Sequence, residues 1–228
     1  MRTLGFLLAC FLLVEKSFGS NPSAMIAVGE DNRIYTRSKE NGAWKVSSGE
    51  TCCMIAVTQM PDGSLLGVGE DNQLYTKTKP SVGEWTGPIA RSCCLINIGV
   101  MDDGTILGVT QGRDLVYRPN LESDWIKPDN ACCTKSADVM PDGSLLGLAK
   151  NGKLRIREGI EGKWSYFKSV GPKMSDVSVD PLGNIYGVNS ETCGVHKLDG
   201  DGNWGDEIAG SQCVVNIVST AALVPPNI

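Results

Sequence analysis

The sequence holds a single histidine, His196, which excludes metal sites built from several imidazoles and most Ser-His-Asp arrangements. Positive charge is also short: 21 basic residues face 26 acidic ones, a net charge of −5, so there is no basic footprint for nucleic acid. Aromatic residues make up only 6%. No Walker sequence, nucleophile elbow or zinc pattern occurs, and no window carries a helical period. After the first 14 residues no apolar run approaches the roughly 18 residues needed to span a bilayer, so no membrane insertion is expected.

What is present begins with a leader. Arg2 precedes the apolar run 4–14, and Ser17-Phe18-Gly19 places small residues at −3 and −1. This predicts a signal peptide over 1–19, cleaved after Gly19, and one secreted domain over 20–228. The run is too short for the rival reading, a signal anchor. Cys10 leaves with the leader, and the remaining eight of nine cysteines are an even number in an oxidising compartment, which favours disulfides over metal ligation.

The rest of the chain repeats. Trp44, Trp85, Trp125, Trp164 and Trp204 are separated by 41, 40, 39 and 40 residues, a period that signals an array. Pro61-Asp62-Gly63-Ser64-Leu65-Leu66-Gly67 returns as Pro141-Asp142-Gly143-Ser144-Leu145-Leu146-Gly147. Gly29-Glu30-Asp31-Asn32-Arg33-Ile34-Tyr35-Thr36-Arg37 is matched by Gly69-Glu70-Asp71-Asn72-Gln73-Leu74-Tyr75-Thr76-Lys77, and cysteine doublets follow the first three tryptophans.

Each unit reads as four short strands. Residues 54–60 form the first, Pro61-Asp62-Gly63 a turn, 64–69 the second, Asp71-Asn72 a two-residue type I′ hairpin turn, 73–77 the third, and Trp85 opens the fourth. Four strands per unit of about 40 residues are the blade of a β-propeller. The first unit lacks its first strand, and the segment 214–219 after the last unit matches it. The expected fold is therefore all-β, a five-bladed propeller of four-stranded blades, with the first blade closed by the C-terminal strand.

The Gly-x-Asp-Asn-x-Leu/Ile-Tyr-Thr-Arg/Lys pattern, the Pro-Asp-Gly turn and one Trp per unit resemble the horseshoe-crab tachylectin family of five-bladed propeller lectins and its marine-invertebrate relatives, over about residues 23–220. The resemblance implies a secreted or haemolymph lectin that binds N-acetylated hexosamines at several equivalent sites without metal or other cofactor. The unit here is shorter than the family's, and the cysteine doublets are a departure.

A saccharide needs amide or carboxylate groups for its hydroxyls and an apolar surface for its ring. Only the first two units carry a full set, namely Glu30, Asp31, Asn32, Tyr35 and Trp44, and Glu70, Asp71, Asn72, Tyr75 and Trp85. They are the candidate ligand-binding residues, giving two good sites and up to three weak ones, and weak sites on a rigid ring still give avidity. Each has a structural alternative: Asp-Asn is demanded by the turn itself, and a Trp at a fixed position serves blade packing. Asp199-Gly200-Asp201-Gly202-Asn203 imitates the start of a calcium loop, but Trp204 stands where its glycine belongs.

Cys193 and Cys213 fall at adjoining strand ends and can pair. The six doublet cysteines, Cys52, Cys53, Cys93, Cys94, Cys132 and Cys133, pair either within each doublet or as a chain of inter-blade bridges that also recruits Cys193 and Cys213, since bridged Cα atoms must lie within about 7 Å. The expectation is thus a secreted, multivalent lectin of innate defence whose partners are glycans on cell or microbial surfaces. The alternative is a non-catalytic matrix or interaction scaffold, and in either case the chain is not expected to be an enzyme.

Overall fold

The computed structural model describes residues 24–49, 52–80, 82–208 and 213–220, so the expected leader over 1–19 lies outside the described residues. The chain opens with β1 (Ala24–Gly29), β2 (Ile34–Arg37) and β3 (Lys45–Val46). The second unit gives β4 (Met54–Gln59), β5 (Leu65–Gly69) and β6 (Leu74–Lys77), and the third β7 (Leu95–Val100), β8 (Ile106–Thr110) and β9 (Leu115–Arg118). The fourth gives β10 (Thr134–Val139), β11 (Leu145–Ala149), β12 (Leu154–Arg157) and β13 (Trp164–Tyr166). The fifth gives β14 (Met174–Val179), β15 (Ile185–Asn189), β16 (Val195–Leu198) and β17 (Trp204–Glu207), and β18 (Val214–Thr220) follows.

These strands make five antiparallel blades, and β18 pairs with β1 from Ala24 opposite Thr220 to Val28 opposite Asn216, so the C-terminal strand completes the first blade. In the second and third blades the fourth strand shrinks to one antiparallel bridge each, Thr76 with Thr86 and Tyr117 with Ile126. The apolar core is divided among the blade interfaces. Ile26, Val28 and Ile34 of the first blade pack on Met54, Val57 and Leu65 of the second, and an equivalent cluster fills each of the other four boundaries. Burying several aliphatic side chains at each boundary, at about 1.5–3 kcal/mol apiece, is what holds blade to blade.

Two glycine positions show why the repeat keeps that residue. The strand glycines Gly67 and Gly147 lie under the blade tryptophan: a Cβ on Gly147 would come within 2.5 Å of Trp164, and one on Gly67 within 2.8 Å of Trp85. The hairpins differ from the sequence expectation. In the two Asp-Asn hairpins the Asn alone is left-handed, at φ 58° for Asn32 and 63° for Asn72, and Gly29 N–H donates to Arg33 C=O, so the loop has three residues, a type I turn followed by a left-handed Asn. The preceding Asp does not need positive φ because it works as an Asx cap: Asp31 Oδ1 accepts Arg33 N–H at 3.2 Å and Asp71 Oδ1 accepts Gln73 N–H at 3.1 Å.

The cysteines of each doublet pair with one another, Cys52–Cys53, Cys93–Cys94 and Cys132–Cys133, and Cys193 pairs with Cys213 across 20 residues.

Candidate functional site

Strand direction sorts the molecule into two faces. The inner strands β4, β7, β10 and β14 each begin just after a cysteine doublet or its equivalent and end at a Pro-Asp-Gly-type turn, and β18 begins just after Cys213. The doublets and the Glu-Asp-Asn hairpins therefore share one face, and the turns share the opposite one.

On the hairpin face, successive hairpins are stitched together through the doublets. Cys53 and Met54 N–H both donate to Asn32 C=O, while Glu70 N–H donates to Cys53 C=O. One blade on, Cys94 and Leu95 donate to Asn72 C=O, and Gln111 donates to Cys94 C=O. Side chains repeat the stitch. Asn32 Nδ2 donates to Glu70 Oε1, and Gln111 Nε2 donates to Asn72 Oδ1 at 2.7 Å while Asn72 Nδ2 donates to Leu95 C=O at 2.7 Å. These two seams thus expose a carboxylate–amide pair and an amide–amide pair, each built from two blades.

The ten candidate residues fall into three groups. Asn32, Asn72, Glu70 and Glu30 lie along the seams, with Glu30 Oε1 3.6 Å from Cys193 Sγ at the boundary of the fifth and first blades. Asp31 and Asp71 are tied within their own hairpins, accepting the Tyr35 hydroxyl at 2.9 Å and the Tyr75 hydroxyl at 2.8 Å. Burial pushes the Asp71 carboxyl up, but the bonds from Tyr75 and Gln73 outweigh it, so Asp71 ionises below the usual carboxylate range, and its bond raises Tyr75 in turn. Trp44 and Trp85 lie elsewhere: Trp85 rests on Gly67, and the cations Arg37 and Lys77 stand over the two rings at 4.4 and 5.9 Å. Desolvation lowers the Arg37 guanidinium to about 10. The structure therefore gathers the Glu and Asn candidates on one face and places the tryptophans within the blades.

Sequence reasoning missed a polar belt inside the ring. Asn97, Ser136, Asp176 and Asn216 occupy the third position of four inner strands and are all buried. Asp176 Oδ2 accepts Asn216 Nδ2 and Ile217 N–H, both at 2.8 Å, and its Oδ1 accepts Asn97 Nδ2 at 3.2 Å. The two amides are anchored in turn, Asn216 Oδ1 accepting Val57 N–H at 2.9 Å and Asn97 Oδ1 accepting Ala137 N–H at 3.2 Å. Burial raises the Asp176 carboxyl to about 7 despite these bonds. The available signal was the step of 39, 40 and 40 residues between these four polar positions within otherwise apolar strands.

One layer nearer the turn face lies a half-buried carboxyl, Asp138. Asp138 Oδ2 accepts the Ser178 hydroxyl at 2.9 Å and Val179 N–H at 2.8 Å, and burial pushes this carboxyl above its ordinary range. It lines an opening of about 580 Å³ together with Thr58, Met60, Met101, Met140, Ser219 and Thr220. The calcium-like loop is closed on itself, since Asp199 Oδ1 accepts the N–H groups of Asp201 and Asn203 at 2.9 and 2.8 Å.

No protein-family model and no curated protein sequence matches the chain. Among solved structures it is similar to a gluconolactonase candidate from a structural-genomics consortium, at a TM-score of 0.58 and 15% identity over 86% of this chain and 77% of that one. It is also similar to a gluconolactonase from Xanthomonas campestris, at a TM-score of 0.56 and 15% identity over 86% and 79%. These likenesses support the five-bladed ring; the structures compared are not tachylectins. They also correct the expectation that the chain is no enzyme: propellers of this fold are described as gluconolactonases, which are enzymes, so a missing catalytic motif does not make the fold non-catalytic.

Proposed function

We propose that the chain is a secreted, multivalent carbohydrate-binding protein whose sites lie on the hairpin face and take N-acetylated hexosamines on cell or microbial surfaces. The observation that carries this reading is the recurrence, at adjacent seams, of exposed paired groups from two blades: Glu70 with Asn32, and Gln111 with Asn72. Carboxylate and amide pairs are planar acceptors and donors matched to vicinal hydroxyls and an acetamido group. Their repetition on a rigid ring supplies the valency that turns weak sites into avidity. The tachylectin resemblance carried by the same hairpins points the same way. Binding of the full chain to an array of glycans tests it: retention on N-acetylated hexosamines is expected, and no retention on any sugar at high protein density overturns it.

A specific observation favours a second, hydrolytic activity at the opposite face. Asp138 is a half-buried carboxyl, shifted upward by desolvation, at the edge of an opening large enough for a monosaccharide lactone, and an upward-shifted carboxyl at a cavity suits general acid–base work. The two structural neighbours described as gluconolactonases name the probe. Hydrolysis of glucono-δ-lactone that is lost in Asp138→Asn supports this reading, and no hydrolysis above the uncatalysed rate removes it.

A further inference from the structure

Three features of the hairpin face coincide at three of its five seams. First, the disulfides Cys52–Cys53, Cys93–Cys94 and Cys132–Cys133 are exposed, whereas Cys193 and Cys213 are half-buried. Second, the latter member of each pair is left-handed, with φ of 77° at Cys53, 80° at Cys94 and 73° at Cys133. A non-glycine residue pays for that conformation, and the cost recurs at each doublet. Third, hydrogen bonds tie each doublet to consecutive hairpins: Cys53 to Asn32 and Glu70, Cys94 to Asn72 and Gln111, and at the third seam Cys133 C=O to Lys150 N–H while the adjoining Thr134 N–H donates to Arg113 C=O. The seam between the fourth and fifth blades is stitched without any cysteine, Ser190 N–H donating to Lys173 C=O at 2.9 Å. The disulfide is therefore not needed for the stitch.

We propose that the three vicinal disulfides are the apolar floors of three saccharide subsites, each walled by polar side chains of the two hairpins it joins. This rests on the carbohydrate-binding reading above and specifies where the ring of the sugar lies. Two bonded sulfurs with their methylenes form a small, polarisable, apolar patch that accepts no strong hydrogen bond. It matches the C–H face of a pyranose, leaving the equatorial hydroxyls to reach the walls. That division, an apolar floor with a few placed polar groups, is what small-ligand sites require. It also supplies the apolar surface that Trp44 and Trp85, packed within their blades, do not offer on this face. The walls differ in chemistry: Glu70 with Asn32 at the first seam, amides at the second, and at the third the Arg155 guanidinium, which donates to Cys132 C=O at 2.9 Å. The first two thus suit neutral N-acetylated sugars, and the third suits sugars bearing a carboxylate.

The test uses the full chain and N-acetylglucosamine and N-acetylgalactosamine immobilised on beads. The variants are Cys52→Ser with Cys53→Gly and Cys93→Ser with Cys94→Gly, the glycines accepting the left-handed conformation without a Cβ. Tenfold or greater loss of retention in each variant, with an unchanged tryptophan near-ultraviolet spectrum, is expected. Wild-type retention that both folded variants match overturns the floor while leaving carbohydrate binding standing. A wild-type chain that binds no sugar overturns both. A second measurement needs no variant: a water-soluble phosphine followed by thiol alkylation and peptide mapping. Saturating sugar is expected to slow labelling of the 52/53 and 93/94 doublets several-fold and to leave Cys193 and Cys213 unchanged. Equal labelling with and without bound sugar overturns the floor.

Discussion

Asp176 accepts the side-chain amide of Asn216 at 2.8 Å, across the boundary between the fifth blade and the strand that closes the first. The bond places a buried carboxyl, raised to about 7 by desolvation, at the closure of the ring. The sign of its effect on stability follows. The unfolded carboxyl titrates near 4, so between about pH 4 and 7 the folded state holds the proton more tightly, and stability falls as pH rises through that window. Asp138 is shifted in the same direction. Thermal melts from pH 4.5 to 8 are expected to show a falling midpoint that levels off above about pH 7, with a shallower fall in Asp176→Asn. A midpoint that rises across the same interval contradicts the assignment.

The closing strand is expected to be as necessary as any internal one. Ile217 on β18 is buried in the core between the fifth and first blades. Ile217→Ala therefore creates a cavity at the closure and costs about 2–4 kcal/mol. Chemical denaturation measures this, and a loss under about 0.5 kcal/mol, typical of a surface site, contradicts closure through this strand.

The tryptophan–glycine stack sets a steric limit. Gly147→Val places methyl groups where Trp164 already lies, and overpacking of this kind costs about 1–3 kcal/mol. The lowered melting midpoint should come with a changed tryptophan fluorescence spectrum. An unchanged spectrum contradicts the stack.

Much of the fold was legible because the period was carried by residues with steric jobs. From the second blade on, the tryptophan step marks the ring that lies on a strand glycine, and a left-handed Asn marks the first two hairpins. The complementary half-blades at 24–29 and 214–220 announced closure because a missing first strand and a spare first strand have no other use. Vicinal pairing was the simpler of two connectivities that geometry allowed, and it is the one the structure has. The hairpin type was misread because Asp and Asn both tolerate positive φ, and only the structure shows Asp31 capping Arg33 instead. The inner belt was illegible for a different reason: Asn97, Ser136, Asp176 and Asn216 share a position but not a residue type, and polar side chains in an inner strand look like lapses in an apolar pattern until the ring brings them together. The tryptophans were offered as sugar platforms from composition alone. Their place, Trp44 under Arg37 and Trp85 under Lys77 and on Gly67, follows from strand register and cation stacking that no local window contains.

The central claim, that saccharides bind the hairpin face, is tested most directly by moving one substitution from face to face. Retention on immobilised N-acetylglucosamine is measured for wild type, for Glu70→Ala with Asn72→Gly, and for Asp138→Asn. The hairpin variant removes both seam groups while the glycine keeps the left-handed turn, and the Asp138 variant alters only the opposite opening. At least tenfold weaker retention is expected for the hairpin variant, and wild-type retention for Asp138→Asn. Undiminished retention by the hairpin variant, or loss confined to Asp138→Asn, contradicts the claim.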